Sequence, residues 1–246
     1  MLTRLPDGFT ALVTGASGGI GGAVIDALLA SDRPDRVIGV SRYTTHREDD
    51  RFSSLVLDIT TDAGLEELAR KLEDQALHLV FNAIGMLHDA SSGIAPEKKL
   101  DDLDVEAMTR LFHVNATTPA LLLKALQGNL KGRHPVTFGS LSARVGSIGD
   151  NPLGGWYAYR ASKAAHNMLI RTAAIEVRRL NPNATLLSLH PGTTDTPLSL
   201  PFQSRVPEGK LFTPAFVAQR LLQVLDHHGP EDSGSFLDWD DASILW

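Results

Sequence analysis

Apolar positions along this chain fall into two alternating patterns. Short β-branched or aliphatic runs stand at 11–13, 36–40, 55–57, 77–81, 136–141 and 184–189, with a last one near Phe236 and Leu237. Runs of this length, bounded by glycine, proline and polar residues, predict buried strands. Between them lie longer segments of helical period. Over 63–75, Leu65, Leu68 and Leu72 recur at spacings of three and four, which puts them on one face of a helix. Helices are also predicted around Val24, Ile25, Leu28 and Leu29, and over 105–130, 157–180 and 214–227. Strand and helix alternating without a break in composition predicts βαβ units. These build a parallel sheet covered on both faces, in one α/β domain spanning 1–246.

Three stretches escape either period: 85–103, the glycine-rich 146–155, and 191–213 with Pro197, Pro201 and Pro207. Each follows a predicted strand. Long loops in such folds carry function, and open parallel sheets bind ligands beyond the carboxyl ends of their strands.

Composition narrows the classes. The 246 residues are 43% hydrophobic and 21% charged, ordinary for a globular chain. A net charge of −6 argues against nucleic acid or an anionic membrane surface as the main partner. The absence of cysteine excludes disulfides, thiolate catalysis and cysteine-ligated metals. The nine histidines show no ligand spacing, so no metal site is expected. The first residues lack the apolar core of a signal peptide, and no run is long enough to span a bilayer, which makes a cytoplasmic location the expectation. Trp156, Trp239 and Trp246 read as packing or interface residues.

The first predicted strand runs straight into TGASGGIG at 14–21, and a helix follows. Gly15, Gly19 and Gly21 would let the backbone turn tightly and approach a phosphate, with Ser17, Ile20 and the helix start supplying N–H groups. No Lys-Ser/Thr follows, which disfavours a nucleoside-triphosphate loop. The second strand ends in Ser41-Arg42, where an acid would meet the ribose of NAD and an arginine the extra phosphate of NADP. Asp58, after the third strand, is placed either to accept a hydrogen bond from adenine or to cap the next helix.

Tyr159 and Lys163 stand four residues apart, on one face of a predicted helix. A phenol of pKa near 10 is a poor acid or base at neutral pH, and an ammonium about 4 Å away would favour the phenolate by about 4 kcal/mol. Such a pair could pass a proton to or from a carbonyl oxygen while a hydride moves at its carbon. Tyr157 lacks this relation to Lys163.

Together these residues resemble the short-chain dehydrogenase/reductase family, over nearly the whole chain. The matches are the glycine turn, Asp58, Asn82-Ala83-Ile84-Gly85, Asn115, the serines at 140–142, Tyr159 to Lys163, and Pro191-Gly192. The runs at 144–151 and 154–165 and the ending at 234–246 look most like C-factor-like and sniffer-type carbonyl reductases. The resemblance implies a doubly wound, Rossmann-like sheet of about seven strands. It also implies NADP(H), with NAD(H) the lesser alternative, and hydride transfer between nicotinamide and a carbonyl or alcohol substrate. Tyr159 would be the general acid/base, with Lys163 lowering its pKa and holding the nicotinamide ribose, and Asn115 would hold a relay water. Asn82, Gly85, Pro191, Gly192, Thr194 and Thr196 would line the cofactor, and the loop 191–213 would cover the substrate. The family's helices equivalent to 105–130 and 157–180 pack against symmetry mates, implying a homodimer or homotetramer.

One departure concerns the family's catalytic serine. Counting back from Gly146 puts Ala143 in its place, whereas a shift of one residue selects Ser142. Ser140 shares the face of Ser142 in an extended strand and is the reserve. Ser142 is the expected donor. Ala143 also supports another reading, a catalytically weak dinucleotide-binding sensor or signalling protein of the same fold.

Overall fold

The computed structural model describes residues 1–73 and 75–246. The first half of the chain forms β1 (Phe9–Thr14), α1 (Gly19–Leu29), β2 (Pro34–Ser41), β3 (Phe52–Val56), α2 (Asp62–Leu72), β4 (Leu79–Asn82), α3 (Val105–Phe112), α4 (Thr118–Ala125) and α5 (Gln127–Leu130). The second half forms β5 (Val136–Leu141), α6 (Tyr157–Leu180), β6 (Ala184–His190), β7 (Thr193–Thr194), β8 (Leu211–Phe212), α7 (Pro214–His227) and β9 (Phe236–Asp238).

Seven strands pair in the order β3-β2-β1-β4-β5-β6-β9, all parallel, and β7 and β8 form a separate small pair. The doubly wound α/β expectation is met. The central strands are buried throughout, which is why they read as continuous apolar runs. Neighbouring residues serve opposite faces of the sheet. Val13 joins Val24, Ile25, Leu28 and Leu221 under α1 and α7. Leu12 joins Leu68, Leu122, Phe138 and Ile170 under α2, α4 and α6. The strand order reverses between β1 and β4, so the crevice for a ligand opens where those two strands end.

Local chemistry sets several boundaries. The Thr61 hydroxyl accepts from the Gly64 N–H at 3.1 Å and caps α2, whose buried face carries Leu65, Leu68 and Leu72 as the spacing predicted. The expected helix over 63–75 stops at Leu72, and Asp74 lies outside the described residues. The expected helix over 105–130 is not continuous. After Phe112 the backbone widens into a π-type turn over His113–Thr117, resumes as α4, and breaks again at Leu126. The residue at the centre of that π turn is Asn115, and such bulges commonly serve a site. The strand expected from Leu77 starts at Leu79, and the Leu77 N–H is taken up by the Asn129 carbonyl at 3.2 Å.

Candidate active site

A cleft of about 810 Å³ opens beyond the carboxyl ends of the strands. One wall is the turn between β1 and α1. Gly15 has φ +72°, and a Cβ there would stand 3.0 Å from the Ala83 carbonyl. At Gly21 a Cβ would lie 2.3 Å from the Gly15 oxygen, so only glycine lets this turn close on itself. Gly18 caps α1 without a side-chain hydrogen bond, and the first helical turn holds no acid. Gly19, Ile20 and Gly21 therefore present a helix N-terminus to the cleft, which suits a phosphate.

Arg42 lines the cleft just beyond β2, and Gly85 lines it just beyond β4. The end of β6 and the residues after it add Pro191, Gly192, Thr194 and Thr196. The Thr194 hydroxyl is buried with no hydrogen-bond partner, and a Cβ on Gly19 would touch the Thr196 methyl at 2.8 Å. A glycine cradle, an uncapped helix start, a rim arginine and an orphaned hydroxyl together fit a nicotinamide dinucleotide.

Five of the residues expected at the cofactor or the chemistry are not among those that line the cleft. Gly15 and exposed Ser17 shape the turn. Asn82 receives the Thr14 hydroxyl at 2.7 Å and donates to Ser140 at 2.9 Å, which ties the ends of β1, β4 and β5 together. Asp58 accepts from the backbone and hydroxyl of Thr60 at 3.0 and 2.7 Å. Burial opposes its charge, but the Thr60 bonds, with Arg42 and Arg110 nearby, hold the carboxyl below its usual value. Asn115 exchanges hydrogen bonds with the Met86 backbone, both at 2.8 Å, and donates to Ser162 on α6 at 3.0 Å. Its carbonyl is met by His166 Nδ1 at 3.0 Å. The π turn thus fastens the loop after β4 to α6.

The floor is the first turns of α6. Tyr159 and Lys163 both line the cleft and are 7% and 2% exposed. Lys163 Nζ donates to the Leu141 carbonyl at 2.9 Å and stands 5.8 Å from the Tyr159 ring centre. The pair is brought together, but burial dominates its electrostatics. It raises the Tyr159 phenol above its usual value and pushes the Lys163 ammonium down to about 7. The expected lowering of the phenol by the ammonium is therefore outweighed in the protein alone. A phenol held in its protonated form is suited to giving a proton to a carbonyl oxygen.

Ser142, the expected donor, lines the cleft beside Ala143. The Ser142 hydroxyl donates to Asn167 Oδ1 at 2.6 Å, and Ser140 is engaged by Asn82. The Ala143 methyl belongs to a small buried apolar cluster with Tyr159, Leu87, Leu111 and Ala158. A Cβ on Gly146 would fall 2.8 Å from the Lys163 backbone carbon, so the turn after β5 packs closely on α6.

Sequence reasoning missed three buried groups here. His166 abuts Asn115, Asn167 holds Ser142, and His190 lines the cleft with Nδ1 unpartnered. Burial pushes His166 down to about 3 and His190 to about 4. A polar pair on the otherwise inward face of the predicted 157–180 helix was the available signal for the first two.

The architecture agrees with what comparison finds. The family model for short chain dehydrogenase matches residues 9–206. A 1-hydroxy-2-glutathionyl-2-methyl-3-butene dehydrogenase of Rhodococcus sp. (strain AD45) is 31% identical over 192 residues, 77% of this chain and 78% of its own. A benzil reductase of Saccharomyces cerevisiae, forming (S)-benzoin, is 32% identical over 200 residues, 75% of this chain and 71% of its own. The crystal structure of NADPH-bound carbonyl reductase from chicken fatty liver superposes with a TM-score of 0.85 at 25% identity, covering 98% of this chain and all of that one. A dinucleotide cradle facing a buried tyrosine and lysine on one helix, within this sheet order, places the chain in the short-chain dehydrogenase family of oxidoreductases.

Proposed function

We propose that the protein is an NADP(H)-dependent carbonyl reductase. The observation that carries the reading is the buried Tyr159–Lys163 pair on the floor of a cleft whose opposite wall is the glycine cradle. The dinucleotide would supply the hydride. Tyr159 would donate its phenolic proton to the carbonyl oxygen as negative charge develops there. Lys163 would hold the ribose hydroxyls, and Arg42 the phosphate that distinguishes NADP from NAD. NADPH bound to the chicken carbonyl reductase supports the cofactor assignment, and the benzil reductase supports an aryl ketone or diketone as substrate.

Ala143 supplies no second donor for the oxygen, so carbonyls already activated by a neighbouring carbonyl or aryl group suit this site best. That absence also motivates a sensor role, against which stands the retention of both Tyr159 and Lys163. Following NADPH absorbance with benzil and a panel of aldehydes and ketones tests the choice. NADPH binding without turnover of any of them would favour the sensor.

A homodimer fits the surface. Met168 and Ile175 stand seven residues apart on α6, 66% and 57% exposed, and Val105 at the start of α3 is 74% exposed. An apolar stripe on α6 and α3 invites a second copy with closed symmetry. A monomer by sedimentation at micromolar concentration would refute it.

A further inference from the structure

The cleft continues past the catalytic pair onto an aromatic shelf. Trp156 lies edge-on to Tyr159 at 6.2 Å and packs on Phe202 at 5.1 Å between ring centres. Two loops flank this shelf, after β4 and after β6, and each brings a cation to its rim.

Lys98 comes from the loop after β4, and its place is fixed by its neighbour. Glu97 is 3% exposed, its backbone carbonyl accepts from the Trp156 N–H at 2.6 Å, and its carboxylate reaches the Ala158 N–H at 3.3 Å. A carboxylate at a helix N-terminus is stabilised by the helix dipole, so Glu97 pins its loop to the start of α6. The Lys98 N–H is held in turn by Asp102 at 3.0 Å. Arg205 comes from the other side, at the end of a 3₁₀ turn over Leu200–Arg205. Residues three apart eclipse in such a turn, which sets Arg205 in line with Phe202. His88 joins the two loops through the Leu198 carbonyl at 3.2 Å.

The charge of the cleft is one-sided. Its lining holds Arg42, Lys98, Arg144, Lys163 and Arg205 and no acidic residue among the described ones, in a chain of net charge −6. Three of these cations have other work. Arg42 would face the cofactor phosphate and Lys163 the ribose, and Arg144 is paired with Asp238 at 2.6 Å and Asp150 at 3.3 Å. Lys98 and Arg205 make no ion pair with any described residue, and both are exposed at the shelf.

We infer that the substrate carries an anionic group, a carboxylate or phosphate, set apart from its carbonyl by an apolar or aryl body. The carbonyl lies at Tyr159, the body on Trp156 and Phe202, and the anion between Lys98 and Arg205. This rests on the carbonyl-reductase reading and adds the substrate's charge to it.

The test pairs two probes of equal size, benzil bearing a 4-carboxylate and benzil bearing a 4-carboxamide. At low salt the carboxylate is expected to have the higher kcat/KM, with the preference collapsing as ionic strength rises. Lys98→Gln and Arg205→Gln should each lower the carboxylate-to-carboxamide ratio about two- to fivefold, and together about tenfold, with NADPH affinity retained in a separate fluorescence titration. Equal kcat/KM for the two probes, or variants that weaken NADPH rather than the carboxylate, would overturn the inference while leaving the reductase reading intact. Reduction of neither probe nor of benzil itself would overturn both.

Discussion

The hydroxyl of Ser142 donates to the side-chain oxygen of Asn167, 2.6 Å away, and joins the end of β5 to the inner face of α6. Both residues are buried, at 3% and 2% exposure, so removing the hydroxyl leaves an unsatisfied amide oxygen. That costs about 1–3 kcal/mol. Ser142→Ala should therefore lower Tm by roughly 2–10 °C. Turnover of benzil should fall far less than the hundred- to thousandfold typical of a lost oxyanion donor. The reciprocal change, Ala143→Ser, puts a hydroxyl beside Tyr159 and should raise kcat most for unactivated ketones. A hundredfold loss of kcat in Ser142→Ala with an unaltered melt would reverse the assignment.

Tyr159→Phe removes the proton donor while keeping the ring that packs against Trp156 and Ala143. Carbonyl reduction should be lost, because the donor matters as charge develops on oxygen, and NADPH should still bind with nearly the same affinity. Calorimetry alongside steady-state kinetics separates the two. Residual turnover near the unaltered rate would assign the proton to another group.

Arg42 lines the cleft where β2 ends and should favour NADP(H) over NAD(H) by roughly ten- to hundredfold, the worth of one charge-assisted contact. Arg42→Asp should reverse the order. Equal affinities in the unaltered protein, measured for both cofactors in the same buffer, would remove the basis for the NADP assignment.

His166 and His190 are neutral in the folded protein, pushed by burial to about 3 and about 4. Their unfolded values lie near 6.5, so below that pH the unfolded chain binds protons that the folded one refuses. Stability should fall as pH drops below about 6.5 and keep falling toward about 4, by about 2 kcal/mol per histidine at pH 5. Lys163 acts in the other window. Its folded value near 7 lies below the unfolded 10.5, so stability should rise between those pH values as the unfolded chain retains a proton that the folded one has lost. Thermal melts from pH 5 to 9 check both signs, and His166→Asn should flatten the acid limb. A flat acid limb in the unaltered protein would contradict the burial of these imidazoles in neutral form.

The elements were legible where the determining information is local. β5 and α6 begin and end at the residues that period and turn chemistry select, because apolar alternation and helical spacing act within a few residues. The helix over 105–130 was misread as continuous because its composition is helical throughout. What breaks it is the bonding of Asn115 to Met86 and His166, groups far apart in the chain.

By itself the sequence determined the alternating α/β order, the glycine turn and the placing of Tyr159 and Lys163 on one helical face. Each of these depends on short-range geometry: the period of a helix, and the one residue type that can make the turn. Only the tertiary structure decided what the Ser142 hydroxyl meets. Alternation along β5 put Ser140 and Ser142 on one face but could not say what that face meets. Asn167 on α6 accepts from the Ser142 hydroxyl, and Gly146 packs against Lys163. Those are contacts between segments remote in sequence, set by how β5 and α6 pack, and no local pattern encodes them.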